Sequence, residues 1–141
     1  GKKEGKGRYT SHNGDLYEGE YREGKRNGVG LYKYSNGDEY EGQWLRGKKH
    51  GQGRMSFVNG AIYEGGYKED KKHYKGIYRH ADGSCYTGEY KDGKPSGRGV
   101  YIFPTGERFE GEFVGGFKHG KGTVTLTDGM KYTAKYHLGK R

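Results

Sequence analysis

Tyr17-Glu18-Gly19-Glu20-Tyr21 is the phrase that decides the fold, because the chain keeps returning to it. Tyr40-Glu41-Gly42-Gln43-Trp44 follows after a step of 23 residues, and the same step leads through Tyr63, Tyr86 and Phe109 to Tyr132-Thr133-Ala134-Lys135-Tyr136. A fixed period over a whole chain means a stacked array of one small unit. Inside the phrase, aromatic, Gly and aromatic stand at i, i+2 and i+4, with polar residues between them. In a strand this spacing places both rings on one face and Glu18 and Glu20 on the other. A helix would also bring i and i+4 together, but the central glycine would cost it about 1 kcal/mol in nearly every repeat. The phrase therefore reads as a strand. Gly19, Gly42, Gly65, Gly88 and Gly111 leave room for a neighbouring ring, so Gly88 belongs to the ring face and Glu89 does not.

A second strand follows each phrase behind a Gly-x-Gly start. Gly28, Gly30, Tyr32 and Tyr34 share parity, as do Gly51, Gly53, Met55 and Phe57; later copies supply Tyr78, Tyr101 and Val124. Asn13-Gly14, Asn36-Gly37, Asn59-Gly60, Asp82-Gly83 and Asp128-Gly129 separate the strands and predict type I′ hairpin turns, with Thr105-Gly106 the one weak copy. The other connection is Gly24-Lys25-Arg26-Asn27-Gly28 and its equivalents. The fold class expected is all-β: an elongated single-layer antiparallel meander of stacked β-hairpins, one hairpin per 23-residue repeat. Gly1-Lys2-Lys3-Glu4-Gly5-Lys6-Gly7 matches Gly24 to Gly30, and Gly139-Lys140-Arg141 starts that phrase again. Residues 1–141 thus form an array of about six repeats that begins and ends at one phase, as a fragment of a longer protein would.

Composition agrees with an array that cannot stand as single units. Only 28% of the residues are hydrophobic, yet 15 Tyr, 5 Phe and 1 Trp recur in register, which disordered chains do not show. Each repeat offers about four large apolar side chains, worth about 1.5–3 kcal/mol each when buried. Ordering a residue costs on the order of 1.5 kcal/mol, so stability must come from neighbouring repeats. Cys85 is the one cysteine; no intrachain disulfide forms, and a reducing, cytoplasmic setting is expected. No apolar run is long enough to cross a bilayer, and no signal-peptide pattern is present.

Tyr-Glu-Gly-x-Trp/Tyr followed by Gly-Lys-x-x-Gly-x-Gly, at this step and over essentially the whole chain, resembles the MORN (membrane occupation and recognition nexus) repeat. The resemblance implies a twisted single-layer sheet, no enzyme activity, and roles as scaffolds near membranes or cytoskeleton. It also implies homodimers joined through terminal repeats, and anionic phospholipid binding is attributed to the family. Asp70 and Tyr74 replace loop glycines in the third repeat and Ala134 replaces the motif glycine in the last. These departures predict a different third loop, with Tyr74 adding a ring to whatever binds there.

No catalytic constellation is present. Gly115 to Lys121 has the spacing of a phosphate-binding loop, but Gly122 stands where Ser or Thr is needed, and the repeat already accounts for these glycines. His50, His73 and His119 share one loop column, yet a two-strand step of roughly 10 Å is too wide for one metal ion. No cofactor or metal is expected, and the histidines read as solvated.

Three surfaces remain. A basic edge of Lys25, Arg26, Lys48, Lys49, Lys71, Lys72, Lys94 and Lys118, in a chain of net charge +9, suits anionic lipid headgroups or acidic peptides. An aromatic groove of Tyr21, Trp44, Tyr67, Tyr90 and Phe113, with Tyr32, Met55, Tyr78 and Tyr101 beside it, suits a partner's helix or extended segment, Trp44 being the anchor. The edge strands near Gly5–Ser11 and Tyr132–Tyr136 suit end-to-end pairing into a homodimer. Nucleic acid is disfavoured, since strand glutamates would repel a phosphate backbone. The function expected is a non-catalytic scaffold or spacer between protein partners, with phospholipid tethering the alternative.

Overall fold

Alternating rings and glutamates cannot bury one face without neighbours, and the chain solves this by pairing each strand with the next. The computed structural model describes residues 3–140. Twelve antiparallel strands follow chain order in an open meander. They are β1 (Gly5–Thr10), β2 (Leu16–Arg22), β3 (Lys25–Lys33), β4 (Glu39–Leu45), β5 (Lys48–Ser56), β6 (Ile62–Lys68), β7 (Lys71–Arg79), β8 (Cys85–Lys91), β9 (Lys94–Ile102), β10 (Arg108–Val114), β11 (Phe117–Thr125) and β12 (Lys131–Tyr136). There are two units, one ending at Lys71 and the other starting at Lys72.

In the first unit a row of glycines crosses the strands: Gly7 faces Gly19, Gly19 faces Gly30, Gly30 faces Gly42, and Gly53 lies between Gly42 and Gly65. The second unit repeats the row from Gly76 through Gly88, Gly99, Gly111 and Gly122, and closes it on Ala134. The rings lie flat across this row. A Cβ on Gly30 would stand 2.1 Å from the Tyr17 hydroxyl oxygen, and one on Gly99 would stand 2.5 Å from the same atom of Tyr86. The hydroxyls of Tyr17, Tyr40, Tyr63 and Tyr86 then donate, at 2.8 Å, to the carbonyls of Glu20, Gln43, Gly66 and Glu89. Bulges between Gly19 and Tyr21, Gly42 and Trp44, and Gly88 and Tyr90 set these carbonyls out of the ladder. The bulged side chains clamp the partner strand: Glu20, Gln43 and Glu89 accept the N–H of Val29, Gln52 and Arg98 at 2.6, 2.7 and 2.6 Å.

The turns are the reverse of the expectation. Type I′ geometry, with two successive residues at positive φ, belongs to Glu23-Gly24 (51° and 78°), Arg46-Gly47 (49° and 84°), Asp92-Gly93 (49° and 89°) and Leu138-Gly139 (46° and 89°). At the Asn-Gly connections only the glycine is left-handed, as at Gly14 and Gly37 (92° and 102°). There the Gly14 N–H donates to the Ser11 carbonyl at 3.2 Å and the Ser11 N–H to the Asp15 carbonyl at 2.9 Å, a type I turn followed by a left-handed glycine. Asn and Asp are used for their side chains: Asn36, Asn59 and Asp82 accept the N–H two residues on, each at 2.9 Å. Thr105 does the same at 3.5 Å, so its copy turns without any need for positive φ before the glycine.

The core lies on the ring face. Tyr17, Tyr40, Tyr63, Tyr86 and Phe109 are 0–3% exposed. The opposite face carries exposed ion pairs, Arg8 with Glu18 at 3.3 Å and Arg54 with Glu64 at 3.6 Å, worth about 0–1 kcal/mol apiece.

Candidate interaction surfaces

Each phrase contributes two rings, and successive repeats interlock them edge to face. In the first unit Tyr17 meets Trp44 at 5.6 Å, Trp44 meets Tyr40 at 5.0 Å, and Tyr67 meets Tyr40 and Tyr63 at 5.3 Å each. In the second, Phe113 meets Tyr86 at 5.2 Å and Phe109 at 5.6 Å, and Phe109 meets Tyr136 at 5.4 Å. Such pairs contribute about 0.5–1.5 kcal/mol each beyond area burial. Trp44 also donates its indole N–H to the Gly30 carbonyl at 3.2 Å.

This packing closes much of the expected groove. Trp44, Tyr67, Tyr90, Phe113 and Met55 are buried, so Trp44 offers no free surface as an anchor. Tyr21, Tyr32, Tyr78 and Tyr101 are half-buried and form the accessible part of the ring face. The reason is the zipper itself: the second ring of each phrase fills the gap beside the first ring of the previous one.

The basic residues divide by strand parity. Lys25, Lys48, Lys71 and Lys94 are exposed. Arg26, Lys49, Lys72 and Lys118, expected on the same solvent edge, turn onto the rings instead. Arg26 stands 4.7 Å from Trp44 and 4.9 Å from Tyr32, and its Nη2 donates to the Gly47 carbonyl at 2.8 Å. Lys49 lies 5.6 Å from Tyr34, Lys72 lies 5.5 Å from Tyr78, and Lys118 lies 4.8 Å from Phe109. Burial holds the pKa of Lys49 and of Lys118 below the usual lysine range, with Asp70 opposing the effect at Lys49. Tyr17, Tyr32, Tyr34 and Tyr86 are pushed up to about 12, burial being the main cause in each.

The histidine column is structural in a way the sequence reading missed. His73 and His119 are half-buried, and their Nδ1 atoms accept the N–H of Asp92 and Leu138 at 3.3 Å, tying one loop to the next. Asn27 does the same for Arg46 at 3.4 Å. Among the described residues, no three metal-ligating side chains come together. Asp15 was also missed. It accepts the Tyr32 hydroxyl at 2.6 Å and the Ser35 N–H at 2.7 Å, and these two bonds hold its carboxyl below the usual range. Its column, Asp15, Asp38, Ala61 and Ser84, keeps a polar residue in most copies, which was the available signal.

The model of the MORN repeat matches residues 1–16, 17–39, 40–62, 63–85, 86–108 and 109–131. The chain belongs to the MORN-repeat family. Comparison with curated proteins gives no match. Among solved structures, this MORN array is similar to the TCP domain of SAS-4 (dCPAP) from Drosophila melanogaster, solved in complex with a proline-rich motif of Ana2. The TM-score is 0.57 at 14% identity, over 92% of this chain and 70% of that one. At that identity the likeness is one of fold. Virginiamycin B lyase from Staphylococcus aureus aligns over 93% of this chain and 55% of its own, at 12% identity and a TM-score of 0.23, which carries no argument.

Proposed function

We propose that this MORN array is a non-catalytic protein-binding scaffold whose partner lies as an extended segment along the ring face. The observation that carries the reading is the half-open row of tyrosines flanked by cations: Tyr32 beside Arg26 in the first unit, Tyr78 beside Lys72 in the second. Flat rings with donors beside them suit a proline-containing strand, whose rigid backbone loses little entropy on docking. The structural neighbour with this fold was solved with a proline-rich motif, which supports the same class of partner. Fluorescence anisotropy with a labelled, extended proline-rich peptide tests it. The double variant Tyr78→Ser and Tyr101→Ser should weaken binding about tenfold with the fold retained. Unchanged affinity would refute the row as the site.

A second reading, anionic phospholipid at the loops, is favoured by the exposure of Lys25, Lys48, Lys71 and Lys94. Co-sedimentation with phosphoinositide vesicles at low salt, lost on Lys48→Glu with Lys71→Glu, would support it. No sedimentation of the parent chain would remove it. Pairing of two copies through β1 or β12, the edge strands of the sheet, is the accompanying proposal for assembly. Scattering coupled to size exclusion would then give twice the chain mass, reverting on removal of a terminal repeat.

A further inference from the structure

One column of the repeat supplies an acceptor that fastens each tight turn to the strand before it. Glu4, Asn27, His73 and His119 share that column, and each accepts the N–H of the residue 19 positions on. Glu4 Oε1 takes the Glu23 N–H at 2.9 Å and Asn27 Oδ1 the Arg46 N–H at 3.4 Å. The Nδ1 atoms of His73 and His119 take those of Asp92 and Leu138, both at 3.3 Å. The four residues so held are the first, left-handed members of their turns, at φ 51°, 49°, 49° and 46°. A second fastening is backbone: Gly24, Gly47, Gly93 and Gly139 donate to the carbonyls of Lys3, Arg26, Lys72 and Lys118 at 2.9, 2.8, 2.8 and 2.6 Å.

The side-chain fastening differs between the two units in one chemical respect. A carboxylate and a carboxamide keep their acceptor oxygens through neutral and mildly acidic pH, as at Glu4 and Asn27. An imidazole Nδ1 accepts only while it is unprotonated, and histidine changes charge between about pH 5 and 8. Both histidine fastenings lie in the second unit.

Their surroundings are not alike. Within that unit, the Asp92 carboxylate lies 4.0 Å from His73 Nδ1, and Lys75, Glu89 and Lys91 border the same cleft. A protonated His73 therefore has a carboxylate on the same turn to hold. Leu138 brings His119 no such exchange. Glu112 faces His119 in the ladder from β10, the His137 ring stands 5.3 Å away, and Lys140 bridges to His137. Along β11 and β12, Lys121 faces Lys135. A charged His119 thus gives up its acceptor beside a second imidazole that charges over the same range.

We infer that mild acid unfastens the tight turns of the second unit, Leu138-Gly139 before Asp92-Gly93, while those of the first unit stay fastened. The glycine bond that remains becomes the hinge of the released turn. The inference goes beyond the binding reading and holds whether or not a partner lies on the ring face.

Amide–water exchange measured by nuclear magnetic resonance on the whole chain, from about pH 8 to about pH 5, tests it once each rate is divided by its intrinsic value. Protection at Leu138 should fall about fivefold relative to Arg46, as the loss of one hydrogen bond requires, and protection at Asp92 should fall less. His119→Asn installs the acceptor that Asn27 uses, so it should keep the protection of Leu138 near pH 8 and remove its loss in acid. If Glu23, Arg46, Asp92 and Leu138 lose protection together, or if none does, the inference is overturned, and that comparison needs no variant to fold. A loss at Leu138 that survives His119→Asn belongs to Glu112 or His137 and overturns it as well.

Discussion

Gly88→Val set against Glu89→Val is the sharpest test of the two-faced sheet, because the residues are adjacent on β8 and differ only in the face they serve. A Cβ at Gly88 would stand 2.6 Å from the Arg98 carbonyl oxygen, 2.6 Å from the Gly99 Cα and 2.7 Å from the Tyr86 hydroxyl oxygen. Two of these three neighbours are backbone and cannot swing aside, so overpacking costs about 1–3 kcal/mol. Displacing Tyr86 also loses its hydroxyl bond to the Glu89 carbonyl, about 1 kcal/mol. Its edge contacts with Tyr90 and Phe113, both at 5.2 Å, add about 0.5–1.5 kcal/mol each. Together these come to about 3–7 kcal/mol, about 5 at the middle of the range.

Glu89→Val removes one acceptor, the carboxylate that holds the Arg98 N–H at 2.6 Å, from a half-exposed site, at about 1–1.5 kcal/mol. At about 2–4 °C per kcal/mol for a chain of this size, Gly88→Val should lower Tm by about 10–20 °C and Glu89→Val by about 2–6 °C. Arrays need not melt as one unit, so circular dichroism should be paired with amide exchange, which reads β8 and β9 directly. Equal shifts for the two variants, or protection lost equally in both strands, would refute the assignment of faces.

Arg46 holds φ 49° in a type I′ turn with its side chain exposed, so Arg46→Asn should stabilise by about 0.5–1 kcal/mol in a chemical-denaturation series. Thr105→Asp should gain about 0.5–1 kcal/mol, since Asp82 and Asp128 accept the equivalent N–H at 2.9 and 3.0 Å against 3.5 Å for Thr105. Alkaline unfolding should be steep. Folding favours the neutral phenols of Tyr17, Tyr32, Tyr34 and Tyr86, whose pKa rises from 10.0 to about 12. Their contribution is therefore complete below pH 10 and lost as pH climbs towards 12. Tyrosinate absorbance and circular dichroism followed together should show ionisation lagging until the fold gives way, and four phenols titrating freely at 10 in the folded chain would contradict it.

The strands were legible because side-chain direction in a strand is intrinsic to the backbone, and Tyr17-Gly19-Tyr21 states it in five residues. The turns were not. Asn-Gly satisfies both a type I′ turn and a type I turn closed by a left-handed glycine, and the choice follows from register. Arg22 pairs with Lys25, which leaves Glu23-Gly24 alone in the tight turn and gives Asn13-Gly14 the wider one. The division of the basic edge was present in the sequence as parity: Lys25 and Arg26 are neighbours on β3 and must leave by opposite faces. The burial of Trp44 was not, since nothing local says that the next repeat's ring will fill the space beside Tyr17.

A repeat protein supplies its own controls, and its departures separate by what the packing returns. Phe109 has no hydroxyl for the bond that Tyr86 makes, yet it is 1% exposed, meets Phe113 and Tyr136, and has Lys118 over it at 4.8 Å. Pro95 stands in the cation column without a charge, and its carbonyl still accepts the Gly116 N–H at 2.8 Å, as Lys72 does for Gly93. Tyr132, on the edge strand β12, is 41% exposed where Tyr17, Tyr40, Tyr63, Tyr86 and Phe109 are buried. The exchanges at Phe109 and Pro95 are absorbed by their neighbours. Tyr74 is not: it takes on a left-handed backbone, gives up a glycine, and leaves more than half its surface in solvent. Tyr74 therefore belongs with Arg46, as a left-handed position where a residue that tolerates positive φ should stabilise the array.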